Sequence, residues 1–153
     1  MTDTTIDTPI RSGTELPVLT WMRLMRVYHK MDRRTAEEMR PRDLSVSRFD
    51  VLNHAGAREG RTQQELADAL FVTKGNICQL LDAMERDKLL YRRRRGRTNL
   101  IYLTDEGRIL RKQALDGHEQ RIADDMSALS EEEQRTLLSL LRKLDKSLDS
   151  SNT

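Results

Sequence analysis

The sequence has few of the residues that crosslink a chain or bind metals. Its 153 residues include one cysteine, Cys78, and three histidines. A lone cysteine cannot form an internal disulfide, and the cysteine and histidines lack the spacing of a zinc site. We therefore expect no disulfide framework and no metal site. A reducing, cytoplasmic environment is the simplest one for such a chain.

Aromatic residues and long apolar runs are also scarce. Aromatic residues make up 4% of the chain, whereas charged residues make up 34%. This composition favours a helical protein, and the length suits one domain with a buried core. No apolar stretch approaches the ~18 residues of a membrane-spanning helix. Residues 1–13 have neither the apolar run nor the basic leader of a secretion signal. They are rich in Thr and Asp and lack periodicity, so we predict a mobile tail there and a single domain over residues 14–153.

Motifs of the common enzyme classes are absent as well. The chain has no glycine-rich phosphate loop, no His-Glu-x-x-His pair and no nucleophile elbow. The acidic pairs Glu37–Glu38 and Asp124–Asp125 are adjacent in sequence, so their carboxylates do not converge on one helix face. We predict that the protein is not an enzyme and has no cofactor.

The positive charge is concentrated in one stretch. The net charge of the whole chain is only +2, but residues 73–97 hold eight basic residues against three acidic ones, a net charge of +5. A local basic patch is the footprint of a protein that binds a phosphate backbone, although a run of charge is often only a solvated surface. The elements around the patch decide between these two interpretations.

Long segments near both ends have apolar residues at helical spacing. One covers residues 15–39. Thr104 is a candidate N-cap for a second long helix, and Ser130 with Glu133 forms a capping box for the last one. The apolar faces of these segments are larger than a small domain can cover. We therefore predict that helices over about 15–39 and 105–149 form a dimer.

Shorter helices are predicted in the middle of the chain. Ser45 is a candidate N-cap for one of them. Thr62 and Glu65 form a capping box for a short helix, and Thr73 caps another that runs to about Arg86. The short helix, a turn of about three residues and the second helix have the spacing of a helix-turn-helix.

The second helix of this pair has two chemically different faces. Its apolar residues fall within an arc of about 100° on the helical wheel: Ile77, Leu80, Leu81 and Met84. Asn76 and Gln79 lie outside this arc, and their amides can make paired hydrogen bonds to adenine edges in the major groove. Thr73 and Lys74, at the start of the helix, suit phosphate. We predict that the DNA-binding residues of this segment are Thr73, Lys74, Gly75, Asn76, Gln79 and Arg86.

The basic stretch continues into a predicted β-hairpin. "LLYRRRR" and "NLIYL" read as strands joined by Gly96-Arg97-Thr98. We expect Leu90, Ile101 and Leu103 to pack inward while the arginines face out. A helix-turn-helix followed by a basic hairpin is a winged helix, predicted here over about residues 45–104. Arg97 at the tip suits the minor groove, and the flanking phosphates are predicted to be contacted by Arg92, Arg93, Arg94 and Arg95.

The order of elements resembles the MarR (multiple-antibiotic-resistance regulator) family of winged-helix transcription factors over about residues 15–148. The matching stretches are "LSVSRFDVLNHAG", "TQQELADALFVTKGNICQLLDAMERDKLL" and "IYLTDEG". The resemblance implies a mostly helical fold with a small β-hairpin and long dimerisation helices at both ends. It also implies a homodimer that binds an inverted repeat in double-stranded DNA. We expect a repressor that is released when a small ligand changes the spacing of the two recognition helices.

Ligand residues are implied by the same resemblance. His29 and His54 lie on elements that line the ligand cleft of the family, where they would meet an anionic aromatic ligand; isolated histidines are also often ordinary half-buried residues. Trp21, Met25 and Tyr28 would line an apolar pocket in that cleft, and a dimer core explains them equally well.

Alternatives of other kinds remain open. Cys78 lies on the flank of the recognition helix, and some relatives sense oxidants through a cysteine, so a redox-responsive regulator is one alternative. A DNA-binding protein without any ligand is another. An interaction module that uses the winged helix only for protein contacts is a third. The net charge of +5 across residues 73–97 argues against this last possibility.

Overall fold

The computed structural model describes residues 15–149. The predicted tail at residues 1–13 lies outside this range. Within it the chain is mostly helical with a small antiparallel sheet, which confirms the predicted fold class. The elements are α1 (Glu15–Met39), a 3₁₀ turn (Arg40–Arg42), α2 (Val46–Ala57), β1 (Arg61–Thr62), α3 (Gln63–Ala69), α4 (Lys74–Arg86), β2 (Leu90–Arg95), β3 (Thr98–Leu103), α5 (Asp105–Met126) and α6 (Glu131–Asp149).

The predicted capping residues start the helices. The hydroxyls of Ser45, Thr73 and Thr104 each accept a hydrogen bond from the backbone N–H three residues on. These bonds satisfy donors that the first helical turn would otherwise leave unpaired. Full capping boxes form at Thr62–Glu65 and Ser130–Glu133, where the glutamate also accepts from the N-cap backbone. Local sequence therefore fixes where these helices begin.

The chain turns sharply between α1 and α2. Pro41 cannot continue an α-helix, and α1 ends at Met39, two residues before it. The 3₁₀ turn that follows closes on Asp43, whose φ of 51° reverses the backbone direction. The fully buried Met39 anchors the end of α1 in the core.

The sheet has three strands in the order β1-β3-β2. Leu90 of β2 pairs with Leu103 of β3, and both side chains are buried as predicted, together with Ile101. The two-residue β1 was not predicted. It pairs Arg61 with Ile101, and the preceding Gly60, at φ 82°, donates its N–H to the Ile101 carbonyl over 2.9 Å. A strand this short has no periodicity that a sequence could reveal.

The apolar core lies in the winged lobe, between the sheet and the helices α2, α3 and α4. The long helices add two fully buried side chains to it, Met39 and Ala114, and the half-buried Leu110 and Leu115 of α5 pack against it. No residue of α6 is buried in the described chain. The buried residues are Met39, Leu44, Phe49, Val51, Leu52, Ala55, Leu66, Ala67, Ile77, Leu81, Met84, Leu90, Ile101, Leu103 and Ala114.

Candidate nucleic-acid interface

The helix α4 is held with one face inward and the other in solvent. Ile77, Leu81 and Met84 are buried completely against the rest of the lobe. This anchoring face fixes the rotation of α4 about its axis, so the opposite side is presented outward. All six predicted DNA-binding residues of this segment are exposed there: Thr73, Lys74, Gly75, Asn76, Gln79 and Arg86.

The amino-terminal part of α4 offers polar groups that the described chain does not use. Within residues 15–149, the side-chain amides of Asn76 and Gln79 make no hydrogen bond to other protein groups. The Thr73 hydroxyl caps the helix by accepting from the Asn76 N–H over 3.2 Å. A side chain added at Gly75 would meet nothing within 4 Å, so packing inside the lobe does not require a glycine there. This end of α4 is therefore open to close approach by an outside molecule.

The hairpin β2–β3 turns through Gly96 and Arg97. Gly96 has a φ of 61°, a conformation that glycine adopts without strain in a two-residue hairpin turn. Arg97 sits at the tip and is exposed. The Arg94 Nε donates to the Gly96 carbonyl over 3.1 Å, which braces the turn. The tip is a narrow basic element that projects from the lobe.

The arginines of β2 do not all face solvent. Arg93, Arg94 and Arg95 are exposed, and the Arg93 guanidinium lies 5.6 Å from the centre of the Tyr102 ring. The side chain of Arg92, in contrast, is only 15% exposed. The prediction that the arginines of this run face outward is therefore wrong for Arg92.

Arg92 ties the base of the hairpin to α4. Its guanidinium lies 2.8 Å from a carboxylate oxygen of Asp82 and 2.8 Å from one of Glu85, and its backbone N–H donates to Glu85. Strand alternation explains this inward position, because Arg92 shares a face with the buried Leu90. The sequence thus showed that Arg92 lies on the same face of the strand as Leu90, but it did not show that Asp82 and Glu85 of α4 are its partners.

The remaining cations lie on the outside of α4 and the hairpin. Among the described residues, none of the exposed arginines at the wing forms an ion pair within the chain. After Arg92 is matched to Asp82 and Glu85, the net positive charge is carried by side chains that face solvent. They are Lys74 and Arg86 on α4, Lys88 directly after α4, and Arg93, Arg94, Arg95 and Arg97 on the wing.

The predicted ligand residues lie on α1 and α2. Trp21 and Tyr28 are 62% and 56% exposed, His29 is exposed, and Met25 and His54 are half-buried. The rings of Tyr28 and His29 meet edge to face at 5.5 Å between centroids. No hydrogen bond or ring contact joins His54 to the α1 residues in the part of the chain that the structure describes. Within residues 15–149 of the single chain, the ring contact therefore joins only Tyr28 and His29 among the predicted ligand residues.

Cys78 is exposed on α4. Its carbonyl oxygen lies 3.4 Å from the Arg92 guanidinium, so the residue is near the junction of α4 and the wing. Over residues 15–149, no three His, Cys, Asp or Glu side chains are placed to hold a metal ion. None of the described helices is long and apolar enough to span a membrane.

Comparison with known proteins identifies the family. The MarR family model matches residues 42–98. An HTH-type transcriptional regulator of Bacillus cereus is 32% identical over 131 residues, which cover 84% of this chain and 88% of the relative. A variant of E. coli MarR crystallised with operator DNA superposes with a TM-score of 0.77 at 26% identity, covering 88% of this chain and 99% of that one. The transcriptional repressor CouR, bound to a 23-mer DNA duplex, gives a TM-score of 0.73 at 28% identity over 90% and 99% of the two chains.

The winged lobe, the solvent-facing polar side of α4 and the basic hairpin agree with these similarities. The similarity extends beyond the lobe, because the relative and the structures cover most of the long helices too. The chain belongs to the MarR family of winged-helix, DNA-binding transcriptional regulators.

Proposed function

We propose that the protein is a homodimeric repressor that binds an inverted repeat in double-stranded DNA and is released by a small ligand. One observation supports DNA binding: α4 exposes the side-chain amides of Asn76 and Gln79, which have no hydrogen-bond partner in the described chain, beside exposed cations that continue onto the wing. Amides suit base edges, and cations suit phosphates. Supporting similarities are E. coli MarR with operator DNA and the repressor CouR with a duplex.

The proposed contacts divide by chemistry. Asn76 and Gln79 read base edges in the major groove, while Thr73 and Lys74 bind phosphate at the start of α4. Because Gly75 has no side chain, the backbone of α4 can approach the DNA closely there. On the wing, Arg97 enters the minor groove and phosphates are bound by Arg93, Arg94 and Arg95, and Arg86 at the end of α4 also binds phosphate. Arg92 acts differently from the sequence prediction, because it positions the wing against α4.

The proposed dimer is formed by the terminal helices. The exposed apolar side chains of the described chain concentrate on α1 and α6, where water would otherwise cover them. A two-fold pairing of these helices sets the two α4 helices on one side of the dimer, about one DNA turn apart. The apolar side chains are Leu16, Leu19, Trp21, Leu24, Val27 and Tyr28 on α1, and Leu138, Leu140, Leu141, Leu144 and Leu148 on α6.

The proposed release requires a small aromatic or anionic ligand that binds near α1 and α2. The residues proposed to bind it are Trp21, Met25, Tyr28, His29 and His54. A ligand that wedges between α1 and α2 would move the winged lobe relative to the dimer helices and so change the spacing of the two α4 helices. A redox response is a second candidate, because the exposed Cys78 lies at the junction of α4 and the wing.

A binding measurement tests base reading. The wild-type protein first selects an operator duplex from a random library, and its affinity is then compared with that for a random duplex by fluorescence anisotropy. Gln79→Ala should cost roughly 1–3 kcal/mol on the operator and relax specificity at one position per half-site. An equal loss on the operator and on the random duplex would contradict base reading by Gln79.

Salt dependence tests the wing, with Arg92 and Arg93 as a matched pair. Arg93→Gln should flatten the slope of log affinity against log salt by about 0.9 for each lost phosphate contact, which is about 1.8 for the two protomers of the dimer. Arg92→Gln should weaken binding without this change in slope, because its charge is already matched to Asp82 and Glu85.

Arg97→Ala should weaken binding most where A·T-rich flanks narrow the minor groove. If removal of the exposed arginines leaves the slope unchanged and only promotes aggregation, the wing does not bind DNA.

A further inference from the structure

The turn between α3 and α4 contains a large apolar side chain that the fold does not use. Phe71 is 95% exposed, more than any other large apolar residue of the described chain. The ring makes no aromatic contact among the residues described. Val72 beside it is 36% exposed. The turn therefore presents an apolar surface directly before Thr73, the N-cap of α4.

The backbone of Phe71 is in a conformation that suits glycine. Its φ is 54°, the left-handed region, which is unusual for a bulky residue. The position is the left-handed residue of a helix C-cap: Phe71 donates its N–H to Asp68 over 3.3 Å, and Val72 donates to Ala67 over 3.0 Å. Glycine is the usual residue here because it has no Cβ to strain. A phenylalanine thus costs folding energy in the turn and gains no packing in return.

The position of Phe71 beside the start of α4 indicates that its ring faces DNA and not a second copy of the chain. It lies two residues before Thr73 and three before Lys74, at the amino-terminal end of α4, where the polar side chains for base and phosphate contacts converge. The exposed leucines of the proposed dimer surface lie on α1 and α6, whereas α3 packs against α2, α4, β1 and β3. An apolar side chain at the rim of a major-groove helix has one apolar partner on a base edge, the C5-methyl group of thymine.

We propose that Phe71 is a specificity-determining DNA contact, whose ring packs against a thymine methyl group in each half-site. This inference rests on the proposed function, because it requires α4 to lie in the major groove. Backbone strain of this kind persists at functional sites, where another interaction compensates for it. The strain at Phe71 is compensated in the complex, where the ring leaves water.

A second left-handed residue of the same kind provides the control. Lys88 has a φ of 60° at the end of α4, and the same pair of hydrogen bonds forms there: Lys88 N–H to Glu85, and Leu89 N–H to Met84, both over 3.0 Å. Glycine at either position should relieve the strain. Phe71→Gly and Lys88→Gly should therefore both raise the melting temperature, so that a change in DNA binding can be separated from a change in stability.

The experiment removes the methyl group from the DNA and the ring from the protein. Each thymine of the selected operator is replaced in turn by deoxyuridine, which lacks only the C5-methyl. Wild type should lose affinity at one position per half-site, and Phe71→Gly should bind the unmodified operator roughly five- to tenfold more weakly and lose nothing further there. Lys88→Gly should keep the wild-type sensitivity to deoxyuridine.

Other outcomes overturn the inference. If Phe71→Gly retains wild-type affinity and deoxyuridine sensitivity, the ring does not contact DNA. If it weakens the thymine and deoxyuridine duplexes equally at every position, the ring contacts sugar or another part of the backbone and does not read thymine. If the wild-type protein selects no duplex at all, the proposed function itself fails, which is a result distinct from the other two.

Discussion

The winged lobe and the long helices of this protein are stabilised by different interactions. Of the fifteen buried apolar residues in the described chain, thirteen lie between Leu44 and Leu103. The lobe therefore has a core of its own, which encloses α2, α3, α4 and the sheet. The long helices add two fully buried side chains to it, Met39 and Ala114, and two half-buried ones, Leu110 and Leu115, whereas α6 buries no residue. The lobe buries its apolar core within a single chain, whereas α1 and α6 leave many apolar side chains exposed.

Where α1 meets α5, polar groups supply much of the contact. The Glu38 carboxylate accepts hydrogen bonds from Arg121 over 2.8 Å and lies 2.9 Å from the His118 ring. Arg121 also pairs with Asp125 over 2.6 Å and donates to the Thr35 hydroxyl over 2.8 Å. The charges of such a network can be titrated and are screened by salt, whereas apolar side chains carry no charge. This difference supports the proposed dimer, in which a second copy covers the exposed apolar side chains of the long helices.

The largest expected effect comes from removing most of α6. Deletion of residues 137–153 should give a monomer or an aggregate, because it removes all the leucines that α6 exposes. Without the second half-site the affinity for the operator should fall roughly 100-fold or more. Light scattering and fluorescence anisotropy measure the two effects.

A milder variant distinguishes loss of the dimer from loss of folding. Replacement of Leu141, Leu144 and Leu148 by Gln should also give monomer, while the neighbouring pair Arg142→Gln and Lys143→Gln should leave the dimer intact. A full-length protein that is a stable monomer in solution would refute the two-fold arrangement.

The next effect concerns the junction between the lobe and α5. A Cβ on Gly107 would lie 1.9 Å from the Leu89 carbonyl oxygen, a backbone atom that cannot move aside. Gly107→Ala should therefore lower the free energy of unfolding by about 3 kcal/mol or more, measured by urea denaturation.

Gly117, on the same helix, is the control. A Cβ there would make an ordinary contact, 3.6 Å from the Glu38 carboxylate. Because alanine favours helix more than glycine does, Gly117→Ala should raise the stability by up to about 1 kcal/mol. If the two substitutions had similar effects, α5 would not be packed against the lobe as the structure has it.

The smallest effect is a pair of opposite pH dependences. Burial raises the pKa of Glu38, but the hydrogen bonds and charges of His118 and Arg121 outweigh it and leave the pKa below the ordinary 4.5. The stability that Glu38 contributes is therefore present at neutral pH and is lost as the pH falls below about 4.5. Glu38→Gln should cost on the order of 1 kcal/mol at pH 7 and progressively less below pH 4.5.

Asp50, in α2, should behave in the opposite way. Burial raises its pKa above the ordinary 3.8, as does the charge of Asp32, although His54 opposes the shift. The ionised carboxylate therefore destabilises the fold at neutral pH, and this penalty disappears below about pH 3.8. Asp50→Asn should raise the melting temperature at pH 7 and leave it unchanged in acid. Parallel pH profiles for the two variants would contradict these opposite environments.

Much of the fold was predictable because it depends on short-range interactions. Ser45, Thr73 and Thr104 cap helices by hydrogen bonds that reach only three residues along the chain, so a sequence pattern suffices to find them. The hairpin followed in the same way from two strand-forming runs and Gly96. The outward side of α4 could be predicted because its apolar stripe had to face the core.

Other features depended on segments that are far apart in sequence. The strand β1 exists because Gly60 and Arg61 reach β3 some forty residues later. The exposure of Phe71 was missed, although an aromatic residue at a helix end where glycine is usual was a visible signal. The contact residues of the DNA and ligand sites remain predictions, since they depend on molecules outside this chain.

The sequence by itself determined the order of the helices, where they begin, and the hairpin. It also determined the concentration of positive charge in residues 73–97 and the apolar faces of the long helices. Each of these depends on hydrogen bonds within about four residues or on a periodic pattern. The tertiary structure alone decided that Arg92 meets Asp82 and Glu85 of α4, and that Glu38 meets His118 and Arg121. An ion pair depends on which distant side chains the packed backbone brings within 4 Å, and no local pattern encodes that distance.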